Sequence, residues 1–173
     1  MKKKKPPSTR VYYYEINEEG ELLFEGKPLL DEKTIGFFLR HLKPIDENDS
    51  DASPLIKSQN HLHYVVYCQG EKNFVTCLDA PLVTTVLDIT KSKEGKLLSV
   101  TLFFRGGIKE ALDPKTLYVG KNNILYFMAL KGKVKGRFSR KCYIEITNFI
   151  SEKEGVYTLE INDKTYTIKP GVL

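Results

Sequence analysis

At 173 residues, with 41% hydrophobic and 28% charged side chains, the chain is sized for one globular domain or two small lobes sharing a core. No apolar run approaches the ~20 residues of a membrane-spanning helix, which excludes a helical membrane protein. The formal net charge of +5 sits at one end: setting aside Lys2, Lys3, Lys4, Lys5 and Arg10 from the 27 basic residues leaves 22 against 22 acidic ones.

Residues 1–10, "MKKKKPPSTR", read as a disordered basic tail, with neither the apolar stretch of a signal peptide nor an amphipathic transit pattern behind the lysines. With three cysteines expected to stay reduced, this points to a cytoplasmic protein. "VYYYEINEEGELLFEG" predicts a hairpin: Tyr12, Tyr14 and Ile16 alternate with Val11, Tyr13 and Glu15, and "NEEG" places Gly20 where a positive φ is wanted. Asp31 can cap a helix over residues 31–42, with Ile35, Phe38, Leu39 and Leu42 on one face. His41 suits the negative end of that helix, and Pro44 stops it. Residues 45–60 read as a polar, acidic loop.

From His61 the pattern predicts strands over 62–69, 73–78, 82–89, 97–105, 124–130, 140–148, 155–162 and 165–169. Asp163-Lys164 fits a two-residue turn, and "LDPKTL" a single helical turn. One main helix among many strands predicts an α+β fold, mostly antiparallel, in one compact domain over 11–173, with a boundary near 90–97 if it divides into two lobes. "YYYEIN" at 12–17 faintly echoes "YTLEIN" at 157–162, which allows two similar sheet-plus-helix units.

"YCQGEKNFVTCLDAP" holds Cys68 and Cys77, with His61 and His63 just upstream. Taking Gly70–Asn73 as the loop puts both cysteines on one strand face, a diagonal step apart, and both histidines on the other. One metal ion cannot then reach all four, so no metal site is expected. Cys68 and Cys77 are a candidate thiol pair, against which stand the reducing compartment and the ordinary use of cysteine as a small apolar core residue.

The same residues resemble the "CG-x-E-x-NF-x-x-C-x-D-x-P-V" block of uncharacterised protein family 0598 (domain of unknown function 4505). "RVYYYEINEEGELLF" is similar to that family's opening hairpin and "FFLRHLKP" to its helix end, with looser likeness in "LFFRGGIKEALDPKTLYV" and "NNILYFMA". More distantly, "FEGKPLLDEKTIGFFLRHL", "LDAPLV" and "LKGKVKGRFSRKCYIEI" resemble bacterial domain of unknown function 1285. That likeness implies repeated sheet-plus-helix units and a role in signalling or ligand sensing, with no catalytic residues to carry over. Mitochondrial placement, implied for eukaryotic members of the first family, does not suit this N-terminus.

"KGKVKGRFSRK" would, as one extended strand, point Lys131, Lys133, Lys135 and Arg137 to one side, with Arg140 and Lys141 adding to a stripe spaced for a polyanion. Lysines on an edge strand also serve to prevent edge-to-edge pairing. No nucleophile elbow, phosphate loop, zinc-binding helix or dinucleotide fingerprint is present, and "RGG" at 105–107 reads as a turn. The expectation is a non-enzymatic binding or regulatory module for a protein partner or small-molecule ligand, without cofactor, metal or membrane. The alternatives are a nucleic-acid or other polyanion binder using the stripe, and an enzyme centred on Cys68, Cys77 and Asp79.

Overall fold

The tyrosine-rich N-terminal segment alternates as expected, and the strand it forms stands at the centre of the first of two sheets. The computed structural model describes residues 10–46, 48, 51, 61–120 and 123–171. Residues 1–9 of the expected tail and most of the expected loop at 45–60 lie outside them. Strands β1 (Val11–Ile16), β2 (Leu22–Phe24) and β3 (Lys27–Pro28) precede helix α1 (Glu32–Arg40), and β4 (Lys43–Pro44), β5 (Leu62–Cys68) and β6 (Glu71–Cys77) follow it. They form a six-stranded sheet in the order β3-β2-β1-β6-β5-β4, with β1 and β6 parallel. Asp31 caps α1 by accepting from the Thr34 N–H, and Ile35, Phe38 and Leu39 bury its inner face.

The chain leaves this sheet through Leu78–Pro81 and builds a larger one. A meander of β7 (Leu82–Lys91), β8 (Leu97–Phe104) and β9 (Ile108–Ala111) comes first. Residues 92–96 turn between β7 and β8 inside this sheet. Then come β10 (Tyr118–Val119), β11 (Leu125–Ala129), β12 (Val134–Arg137), helix α2 (Arg140–Thr147), β13 (Ile150–Lys153), β14 (Val156–Ile161) and β15 (Lys164–Pro170). The order is β13-β14-β15-β10-β11-β12-β7-β8-β9, with parallel pairing at β15–β10 and β12–β7 and antiparallel pairing elsewhere. The fold is therefore α+β, sheet-rich and mainly antiparallel.

The two halves repeat one topology. The run β1-β2-β3-α1-β4-β5-β6 matches β10-β11-β12-α2-β13-β14-β15, and the sheet order β3-β2-β1-β6-β5-β4 recurs as β12-β11-β10-β15-β14-β13. Registers agree as well. Ile16 lies opposite Leu22 and Cys77 as Val119 lies opposite Leu125 and Pro170. The two-residue turn Gln69-Gly70 matches Asn162-Asp163. Ser139 caps α2 through the Cys142 N–H as Asp31 caps α1, and from each cap the twelfth residue onward (Lys43, Ser151) pairs with matching positions Val65 and Thr158. The expected echo is out of register, since "YYYEIN" forms β1 and "YTLEIN" falls on β14, whose counterpart is β5.

Residues 140–148 correct the strand expected there: they hold α2. Cys142, Ile144 and Ile146 alternate like a strand, but only Cys142 and Ile146, one helical turn apart, are buried. The hairpin at 68–71 turns through Gln69 and Gly70, both with positive φ, rather than through Gly70–Asn73. The expected turn at Asp163-Lys164 likewise falls one residue earlier. "LDPKTL" does form a short helical turn at Pro114–Thr116.

What joins the halves is a close backbone contact. A Cβ placed on Gly36 of α1 would lie 2.2 Å from the Gly106 carbonyl oxygen, and one on Gly106 would lie 2.3 Å from the Gly36 nitrogen. Gly106 also has φ +71, a conformation glycine adopts without penalty. Its N–H donates to Glu32, Arg40 donates to the Gly106 and Gly107 carbonyls, and Arg105 pairs with Glu21 at 2.9 Å. "RGG" thus docks the meander onto α1.

Candidate functional site

Between α2 and the sheet of the second repeat lies an open crevice of about 300 Å³. Its floor is apolar, from Val119, Leu125, Ile150 and Ile168; Tyr143 and Thr147 of α2 form one wall, and Tyr157, Glu152 and Asn123 the rim. Leu125 and Ile168 are buried. Tyr143 and Tyr157 keep 38% and 43% of their surface in water, and Ile144, next to Tyr143 on α2, keeps 59%. Three of the ten exposed large hydrophobic residues among those described therefore gather at this one place.

The repeat topology shows what this crevice is. By register, its lining residues Val119, Leu125, Tyr143, Thr147, Ile150, Tyr157 and Ile168 stand where the first repeat has Ile16, Leu22, Ile35, Leu39, Leu42, Tyr64 and Val75. Every one of those counterparts is at most 8% exposed. Two things close the first crevice. Leu39 is bulkier than Thr147, and the meander lies across the opening: Val83 sits against Gly20, where a Cβ would come within 2.8 Å of it, and Gly106 against Ile35 and Gly36. In the second repeat Asn123 replaces Gly20 and Ile144 replaces Gly36, and no described segment lies across them.

A polar node pins the passage between the sheets. Asp79 Oδ1 accepts from the Tyr126 hydroxyl at 2.8 Å and from Lys135 Nζ at 3.0 Å, while Arg137 Nε stands 3.3 Å from Oδ2. Lys135 Nζ lies 3.9 Å from the Tyr126 ring centroid, Tyr118 stacks on that ring at 5.4 Å, and Arg137 also donates to the Glu18 carbonyl. Burial, then the bond to Asp79, pushes the Tyr126 hydroxyl well above the ordinary tyrosine range.

This node takes apart the expected basic stripe. Lys131 lies in a tight turn with φ +61, beside Lys133; only Lys135 and Arg137 occupy β12, and both spend their charge on Asp79. Arg140 and Lys141 open α2. The six cations share no single strand face.

The candidate thiol pair is separated too. Cys77 lies opposite Leu62 and Cys68 opposite Glu71, so six strand positions, about 20 Å, divide them. All three cysteines are free, and burial pushes the Cys77 thiol up to about 12. A thiol held protonated beside an Asp79 already engaged with two cations offers no nucleophile. The His61 and His63 rings stand 6.4 Å apart, and among the described residues no group of three or more His, Cys, Asp or Glu could hold a metal ion.

The crevice residues Tyr143, Thr147 and Tyr157 were not among the expected site positions. Reading 140–148 as a strand hid the helix wall, although Ser139, three residues before Cys142, carries the N-cap signal.

A repeated sheet-plus-helix unit with an intercalated meander defines the class of fold. Within it, the chain belongs to the family described as Domain of unknown function (DUF4505), whose family model matches residues 2–170. Solved structures share the fold. A DUF1285 family protein from Silicibacter pomeroyi DSS-3 has a TM-score of 0.63 at 13% identity, with 97% of this chain and 90% of that one covered. Another DUF1285 family protein, from Shewanella baltica OS155, has 0.52 at 22% identity, with 78% and 90% covered. No curated protein matches this chain.

Proposed function

We propose that the protein is a non-catalytic binding module and that its binding site is the open crevice of the second repeat. One observation carries this reading: the same crevice is sealed by the chain's own meander in the first repeat and left open, with an apolar floor and polar rim, in the second. Apolar concavities with a few polar groups are where ligands bind, and exposed apolar clusters of this kind have a purpose more often than surface at large. A cytoplasmic setting suits three free thiols, two of them buried.

The test is to restore the first repeat's closure. Thr147→Leu, which copies Leu39, should fill part of the cavity and leave the fold intact by thermal melting. Anilinonaphthalene sulfonate should bind the wild-type chain, shifting the amide resonances of Val119, Leu125 and Ile168, and should bind the variant several-fold more weakly. Equal binding by both, or shifts elsewhere, would refute the reading.

A further inference from the structure

Resting on that reading, we infer that the occupant of the crevice is a segment of a partner protein: an extended run with adjacent aliphatic side chains and a basic residue beside them. Two features point to a polypeptide. The counterpart crevice is already covered by one, with an extended segment bringing Leu82 and Val83 and a turn bringing Arg105 to Gly107. The apolar surface extends past the cavity, because Ile144, next to Tyr143 on α2, does not line it yet is 59% exposed. A small molecule filling about 300 Å³ leaves Ile144 in water, whereas a chain crossing the opening covers it.

The rim supplies the charge preference. Glu152 is the one charged residue among the nine that line the crevice, and it is exposed. A cation on the incoming segment would pair with it as Arg105, on the segment covering the first crevice, pairs with Glu21. Ile144 in place of Gly36 forbids the backbone contact made in the first repeat, so the partner sits further out, against side chains. Tyrosines such as Tyr143 and Tyr157 add contact area at low entropic cost, as at other recognition surfaces.

The probe is a display library of random 12-residue peptides selected on the full-length chain, with enriched peptides synthesised and measured by fluorescence anisotropy. The expected result is enrichment of adjacent aliphatic residues flanked by Lys or Arg. Affinity should fall tenfold or more in Ile144→Asp and in Thr147→Leu, and about threefold in Glu152→Gln. Ile144→Asp alters a residue outside the cavity, so anilinonaphthalene sulfonate binding should survive it. Dye binding that responds to Thr147→Leu without any crevice-dependent peptide overturns the partner inference and leaves the binding-module reading standing. Loss of both sinks both. A dimer seen by sedimentation and abolished by Ile144→Asp would identify the occupant as a second copy and overturn the inference as well.

Discussion

Replacing Gly36 with alanine sets two well-known effects against each other. In a helix interior, alanine is favoured over glycine by about 1 kcal/mol, so propensity alone predicts a more stable protein. The structure predicts the reverse. The added Cβ would lie 2.2 Å from the Gly106 carbonyl oxygen and 3.1 Å from its carbon, and neither is a flexible side-chain end that can swing away. Helix and turn would have to part by about 1 Å to restore ordinary contact distance. Overpacking of this kind costs about 1–3 kcal/mol. Parting also weakens the bond from the Gly106 N–H to Glu32 and those from Arg40 to the Gly106 and Gly107 carbonyls, for about 2 kcal/mol together. The net expectation is a loss of about 2–4 kcal/mol, which in a chain of this size lowers Tm by on the order of 10 °C. Circular-dichroism melts of the wild type and Gly36→Ala would measure it. Ile144→Ala, at the equivalent and 59% exposed position of α2, is the control and should stay within about 0.5 kcal/mol. A Gly36→Ala protein that melts with or above the wild type would refute the docking of the meander on α1.

Asp79→Asn keeps an acceptor for Tyr126 but removes the charge facing Lys135 and Arg137; with Asp79 25% exposed, the expected loss is about 1 kcal/mol, shrinking in high salt. A salt-independent loss would mean that the node acts through packing instead. Tyr14, Tyr64, Tyr118 and Tyr126 all have hydroxyls raised chiefly by burial, Tyr64 to about 12. Unfolding would release their protons once the pH passes about 10, so this stability is complete below that value and drains away as pH climbs toward the folded values. Phenolate absorbance should show these four of the ten tyrosines titrating late in the native protein, and a single transition near the ordinary value would count against their burial. A thiol reagent should label Cys68 alone in the native chain and all three cysteines in denaturant; native labelling of Cys77 or Cys142 would contradict their burial.

Much of the fold was legible because its elements obey local rules. Asp31 and the Ile35, Phe38, Leu39 face define α1, and most strand ranges fall within a few residues of expectation. Registers were less legible. Gln69 takes a positive φ that its side chain does not announce, and the turn beginning there moved Cys68 away from Cys77. The Asp79 node was not legible either, because it joins residues from 79 to 137 that only the sheet order brings together. The alternation that suggested a cationic stripe is real at Lys135 and Arg137, but the face they share looks inward, onto a carboxylate.

The misreading of 140–148 and the location of the candidate site have one cause. An amphipathic helix announces itself by apolar residues confined to one face, as α1 does. Helix α2 breaks that pattern at Tyr143 and Ile144, which stand where α1 has Ile35 and Gly36. In the first repeat the meander covers this surface, so Ile35 is core and Gly36 admits the Gly106 backbone. In the second repeat no described segment does so, yet the positions hold a tyrosine and an isoleucine rather than the polar residues that a permanently solvated face would carry. Those two apolar side chains, added to Cys142 and Ile146, are what made a helix resemble a strand. A duplicated fold that kept its crevice but not its cover, and kept apolar residues on the helix surface beside it, retains the chemistry of a buried surface at a place its own chain leaves open.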